Sequence, residues 1–257
     1  MKSRLIYTLI LLVISLFANA QVAEYYFTQQ NGTYTEITGG TELWATTFDN
    51  EVSGAVTIPS FTYDGTAYTA IYISVNGFIT FGSAPAGTVY NPIGNTATYS
   101  GAISAFGRDL NQAASGTPAV RYEQIGSEFV IQWKDVRRKD VASEIISFQV
   151  RLNTSNNYIK VVYGGTITPG SNTTYPQVGL RGPDNTLATS VHNRTIAAGG
   201  GNWINSTRGT GNTSTMYFNS LTPATVPTAG LTYTWKPLYN PTAFTAEAVS
   251  LTQIDLD

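Results

Sequence analysis

One histidine, His192, and no cysteine stand among the 257 residues. A catalytic triad or a histidine-based metal site would therefore have to use His192. Its context, Val191-His192-Asn193-Arg194, has neither a Gly-x-Ser-x-Gly elbow nor a His-Glu-x-x-His pair, and reads as loop or surface. The absence of cysteine removes disulfides, thiolate metal sites and thiol nucleophiles together. Sixteen acidic side chains could supply the two carboxylates of a glycoside hydrolase, but no spacing places two of them in one cleft. Asp109-Leu110-Asn111 has the oxygen ligands of a calcium loop without its further acids, its Gly at the sixth position or its Glu at the twelfth. Turn capping by Asp and Asn accounts for it as well.

Two glycine-rich runs, Gly199 to Trp203 and Gly209 to Asn212, lack the strand-to-helix setting of a phosphate loop. The densest charge cluster runs from Lys134 to Asp140, with basic residues set among acids, and is expected to be a solvated hairpin loop. The aromatic residues are more suggestive. Trp133 and Trp235 alternate with polar neighbours and belong in a core. Trp203 lies among Gly and Asn, where periodicity does not explain it. An exposed Trp203 could stack on a sugar ring while Asn202 and Arg208 take its hydroxyls. The reading preferred to this is that Trp203 anchors its loop into the core. No cofactor is expected.

Any such residues must be positioned by strands. Only 12% of residues are charged, and helix-period segments are missing after residue 20. Short β-branched and aromatic runs, punctuated by Gly, Asn and Pro, recur instead. This predicts an all-β fold, an antiparallel two-sheet β-sandwich with long loops, plus a short C-terminal β segment. Strands are expected at 22–28, 33–38, 43–49, 55–58, 61–63 and 67–74, then at 102–106, 119–124, 128–133, 158–163, 177–182, 216–218 and 231–235. Residues 83–99, 109–118 and 183–215 read as loops, the last with fragments of strand. Ile146, Phe148, Val150 and Leu152 alternate with Ser147, Gln149, Arg151 and Asn153, so one face should be buried and one wet. The organising hairpin is Ile71 to Gly82, turning at Asn76-Gly77. A two-residue type I′ loop there needs φ > 0 at both residues and pairs Val75 with Phe78 and Ile73 with Thr80.

The N-terminus is expected to be an export leader. Lys2 and Arg4 precede a 13-residue apolar run, and Ala18-Asn19-Ala20 forms a cleavage site before Gln21. That run is short of the roughly 18 to 20 residues that cross a bilayer, so no membrane insertion is expected after cleavage. Removing Lys2 and Arg4 leaves 12 basic against 16 acidic side chains, a formal charge of −4. With a pI near 5.4 and no basic stripe, nucleic acid is not an expected partner. The sequons at Asn172 and Asn205 mark exposed loops.

The landmarks Ile73-Ser-Val-Asn-Gly-Phe-Ile-Thr-Phe-Gly82, Ser104-Ala-Phe-Gly-Arg-Asp-Leu110 and Phe129-Val-Ile-Gln-Trp133 continue with Ser147-Phe-Gln-Val-Arg-Leu152 and Gln177-Val-Gly-Leu-Arg-Gly182. In this order they resemble the β-sandwich module near the N-terminus of many large secreted Bacteroidota proteins. They are also distantly similar to the extracellular domain of nidogen. Relatives usually carry an aromatic and an acid where Gly107 and Arg108 stand, which leaves Asp109 as the only acid of that turn. Residues 237–241 read as linker. In 242–257, Phe244, Ser250, Ile254 and Leu256 resemble the opening of a fibronectin type III module, as if the chain were part of a longer protein.

The resemblance implies a secreted or cell-surface, non-catalytic module for adhesion, display or protein interaction within a multidomain protein, exported by the type IX route. Its partners would be other domains of that chain, cell-surface proteins or glycans. The alternative is a carbohydrate-binding accessory module of a secreted polysaccharide-degrading enzyme.

Overall fold

The computed structural model describes residues 22–170, 172–185, 192–198, 202–209, 216–219 and 225–238. The expected leader and the fibronectin-like segment lie outside them. Two antiparallel sheets carry the described chain. The first contains, in spatial order, β1 (Tyr26–Asn31), β15 (Leu231–Lys236), β11 (Tyr158–Thr168), β10 (Ile145–Asn153), β9 (Glu128–Arg138), β8 (Ala119–Ile125) and β2 (Thr41–Ala45). The short β7 (Leu110–Gln112) pairs with the end of β9. The second sheet contains β14 (Asn202–Gly209), β13 (His192–Ala198), β12 (Gln177–Arg181), β6 (Gly101–Gly107), β5 (Phe78–Phe81), β4 (Thr66–Ser74) and β3 (Val56–Tyr63). The fold is the all-β sandwich that the alternating pattern predicts.

Side chains interleave between the layers. Phe106 of β6 stacks on Phe148 of β10 with ring centroids 6.0 Å apart. Two polar tips cross the gap to backbone carbonyls: Trp133 Nε1 donates to Ser74 O at 3.0 Å, and Tyr163 Oη to Ala105 O at 2.7 Å. Burying each large apolar side chain of this layer contributes about 1.5–3 kcal/mol.

The Asn76-Gly77 hairpin differs from expectation by one residue. Ser74 pairs with Phe78 and Ile73 with Ile79, so the loop is Val75-Asn76-Gly77 and only Gly77 has positive φ, at 82°. A three-residue loop with glycine in the left-handed position is the next commonest hairpin after the primed turns. The shift puts Ile73 and Ile79 on one face rather than on opposite ones. Its cause is tertiary, because Asn76 is fully buried and its amide is engaged elsewhere. Its Oδ1 accepts from Leu110 N at 2.9 Å, and its Nδ2 donates to Gly87 O and Val89 O at 2.8 and 3.0 Å.

The outer face of β10 is not wet. Ser147 and Gln149 are buried under residues 32–38, which were expected to include a strand and instead cross the sheet without pairing into it. Gln132 Oε1 accepts from Ile37 N at 2.9 Å and from Gln149 Nε2 at 2.7 Å, while Gln132 Nε2 donates to Ile37 O at 3.1 Å. Two glutamines thus supply the hydrogen bonds that a neighbouring strand would otherwise give this segment. The fragments of strand expected within residues 183–215 are the β13–β14 hairpin. One further expectation is corrected: the charged run from Lys134 lies largely within β9, whose inner side buries Val136 and Arg138.

Candidate functional site

A cleft of about 390 Å³ opens where the exits of β6 and β9 meet the loop of residues 83–99 and the segment before β12. Tyr90, Arg108, Asp109, Lys139, Asp140 and Thr174 line it, with Arg138 behind. Its four contributing segments are fixed from beneath. Asn76 holds Val89 through the carbonyl, and Gln177 Oε1 accepts from Ile93 N at 2.7 Å, so Tyr90 sits between two anchored positions. Arg181, itself 1% exposed, donates to the carbonyls of Asn95 and Ala97 and lies over the Tyr99 ring at 4.2 Å. A loop rich in Gly, Pro and Asn is thereby a rigid wall.

Arg108 leaves β6 directly after Gly107, with its N–H donating to Asn76 O at 3.3 Å. Its Nε donates to Thr174 Oγ1 at 2.5 Å. Nη1 and Nη2 make no hydrogen bond to any described residue. Partial burial pushes the Arg108 guanidinium below its ordinary value, and the nearby positive charge of Arg138 adds to this. Burial likewise raises the Asp109 carboxyl, against the opposing charge of Lys139.

Charge in the cleft is partitioned. Arg138 is paired with Glu144 in a fully desolvated bridge, Nη2 to Oε2 at 2.6 Å, with side chains 4% and 0% exposed. Lys139 Nζ pairs with Asp49 Oδ2 at 2.5 Å. What remains is one guanidinium, Arg108, with the carboxylates of Asp109 and Asp140. Tyr90 adds an aromatic ring 43% exposed at the rim.

Comparison with protein families matches residues 24–237 to the model described as NIDO related. The chain belongs to the NIDO-related family. No curated protein and no solved structure matches it. The match spans the whole sandwich, including all the strands that border the cleft.

Of the residues singled out in the sequence, Asp109 and the end of the charge cluster, Arg138 to Asp140, line this cleft of the NIDO-related domain, while His192, Asn202, Trp203 and Arg208 lie on β13 and β14. Trp203 is 1% exposed, so of its two readings the core anchor holds and the exposed stacking platform does not. Its Nε1 donates to Tyr217 O at 2.8 Å, and its ring packs edge-on against Tyr163 at 5.1 Å and parallel to Phe106 at 6.3 Å. Neighbouring Asn202 closes a local turn by accepting from Ile204 N, and exposed Arg208 donates to Ala23 O at 2.7 Å beside an open groove with Tyr26. These three do not form one polar patch around an exposed indole. His192 is the first residue of β13 rather than part of a loop. Of the glycine-rich runs, residues 199–201 and 210–212 lie outside the described residues.

Asp109 immediately precedes β7 and Asn111 lies within it. Their Oδ1 atoms, and that of Asp49, are buried without a hydrogen-bond partner. The Lys139 ammonium already stands against Asp49. Among the described residues no group of three His, Cys, Asp or Glu side chains is arranged to hold a metal.

The cleft itself was not legible as a site. Tyr90, Arg108, Asp140 and Thr174 are scattered along the sequence and share no spacing pattern. The usable signals were the Asp109 turn and the charge cluster ending at Asp140, which the fold brings together at the cleft.

Proposed function

We propose that this NIDO-related domain is a non-catalytic, secreted or cell-surface recognition module, serving adhesion, display or protein interaction within a multidomain protein. The observation that carries this reading is the cleft at Arg108, whose walls are rigidly held while guanidinium donors and an aromatic ring are left open to a ligand. Preformed concave sites with a few placed polar groups favour recognition. The family match across residues 24–237 agrees with an extracellular role. Among the described residues no helix is long and apolar enough to cross a membrane, which is compatible with export.

Production with the natural N-terminus in an exporting bacterial host tests it. Recovery in the medium or on the outer surface, beginning at Gln21, is the expected result, together with no turnover of polysaccharide or peptide substrates. Cytoplasmic retention with Met1 intact, or substrate turnover, would overturn it. The exposed Tyr90 ring specifically favours a second reading, a carbohydrate-binding accessory module of a secreted polysaccharide-degrading enzyme.

A further inference from the structure

The geometry points to the Tyr90–Arg108 cleft as a binding site for a neutral saccharide, with Tyr90 as the stacking face and Arg108 and Asp140 as the hydroxyl-reading groups. This rests on the recognition-module reading and adds the ligand class and the residues that select it.

Three observations carry it. First, Arg108 is oriented but unsatisfied: its Nε is fixed on Thr174 Oγ1, while Nη1 and Nη2 bond to no described residue. Partial burial means that these donors have lost some of their water, so an acceptor supplied by a ligand would be strongly favoured. Secondly, donors and acceptors stand side by side. A guanidinium next to the carboxylates of Asp109 and Asp140 suits groups that both give and accept hydrogen bonds, as vicinal hydroxyls do. Thirdly, Tyr90 exposes an aromatic ring at the same rim, a surface for the apolar face of a pyranose.

Charge decides between a neutral sugar and an acidic one. Glu144 and Asp49 take up Arg138 and Lys139, so the remaining cleft carries one positive group against two negative ones. A uronate or sulfated sugar would bring a third anion beside Asp109 and Asp140, leaving Arg108 as one positive group against three negative ones. The volume of about 390 Å³ lies near the lower end of small-ligand sites, enough for a short oligosaccharide segment lying across the cleft.

Isothermal titration of the full exported chain with a panel of cello-, xylo-, manno-, laminari- and chito-oligosaccharides tests the assignment, with oligogalacturonate as the charged counterprobe. At least one neutral oligosaccharide is expected to bind. Arg108→Gln and Tyr90→Ala should each weaken that binding about tenfold or more. Tyr26→Ala, at an exposed tyrosine away from the cleft, should leave it unchanged. Thermal melting of each variant separates loss of binding from loss of fold, and chemical-shift mapping of the bound chain locates the contact independently of any variant. No binding to any neutral probe, preference for oligogalacturonate, or shifts confined to residues outside the cleft would each overturn the inference. Export and surface recovery of the same chain would be untouched by those results, so the broader recognition reading fails or stands separately.

Discussion

The ring of Tyr34 covers the backbone of Gly164 so closely that a Cβ there would lie 1.8 Å from the ring. Tyr34 belongs to the segment that crosses the outer face of the first sheet, and Gly164 lies on β11 opposite Ser147. Burial raises the Tyr34 hydroxyl well above its ordinary value, with the negative charge of Glu36 adding to the shift. Gly164→Ala is expected to destabilise the fold by about 1–3 kcal/mol through overpacking. The cost should largely vanish when the same change is made in a Tyr34→Ala background, a coupling that urea denaturation of the four chains measures.

Asn76 joins the central hairpin to the loop carrying Tyr90 and to the start of β7. Asn76→Ala leaves the Leu110 N–H without its acceptor and the Gly87 and Val89 carbonyls without their donors. Leaving these groups unpaired should lower stability by about 3 kcal/mol. Hydrogen exchange at the Leu110 amide should accelerate beyond the global change, and proteolysis within residues 83–90 should rise.

The Arg138–Glu144 bridge behind the cleft has Glu144 accepting from both the backbone and the guanidinium of Arg138. Breaking a buried pair strands a charge, so Glu144→Leu should cost about 3–5 kcal/mol. The double change Arg138→Met with Glu144→Leu should recover much of that loss. Denaturant midpoints of the two variants check this, and a double variant as unstable as the single one would refute it.

Asp64, in the turn between β3 and β4, has its carboxyl pKa raised by burial, with the Val22 N–H at 2.9 Å opposing the shift. A raised folded-state value means that the native chain holds this proton more tightly than the unfolded one. Its contribution is therefore full below the ordinary carboxylate range and is lost as pH rises through the folded value. Asp64→Asn keeps an acceptor for Val22, and Asn tolerates the positive φ of 51° at this position. The variant should be more stable than the parent at neutral pH, with the gain disappearing in acid, as melting across a pH series will show.

Trp203 tests its core placement. With its indole packed against Tyr163 and Phe106, Trp203→Ala should lower stability by about 3–5 kcal/mol. A variant that melts like the parent would return Trp203 to the surface.

How much was legible follows from the range of each interaction. The alternation of Phe148, Val150 and Leu152 identified β10 because side-chain direction along a strand repeats every two residues, a local rule. The opposite face of the same strand was misjudged, since Gln149 is polar yet buried by residues far away in sequence. The β13–β14 hairpin was obscured because glycines and asparagines interrupt its alternation, although its two strands are sequence neighbours.

By itself, then, the order of residues determined the all-β class, most strand positions and the apolar layer between the sheets, because these depend on propensity and periodicity within a few residues. Tertiary structure alone decided the register at Asn76, the burial of Gln132 and Gln149, and the meeting of Tyr90, Arg108 and Asp140 in one cleft. Each of those depends on which distant donor finds which acceptor, and closure of the two sheets makes that choice.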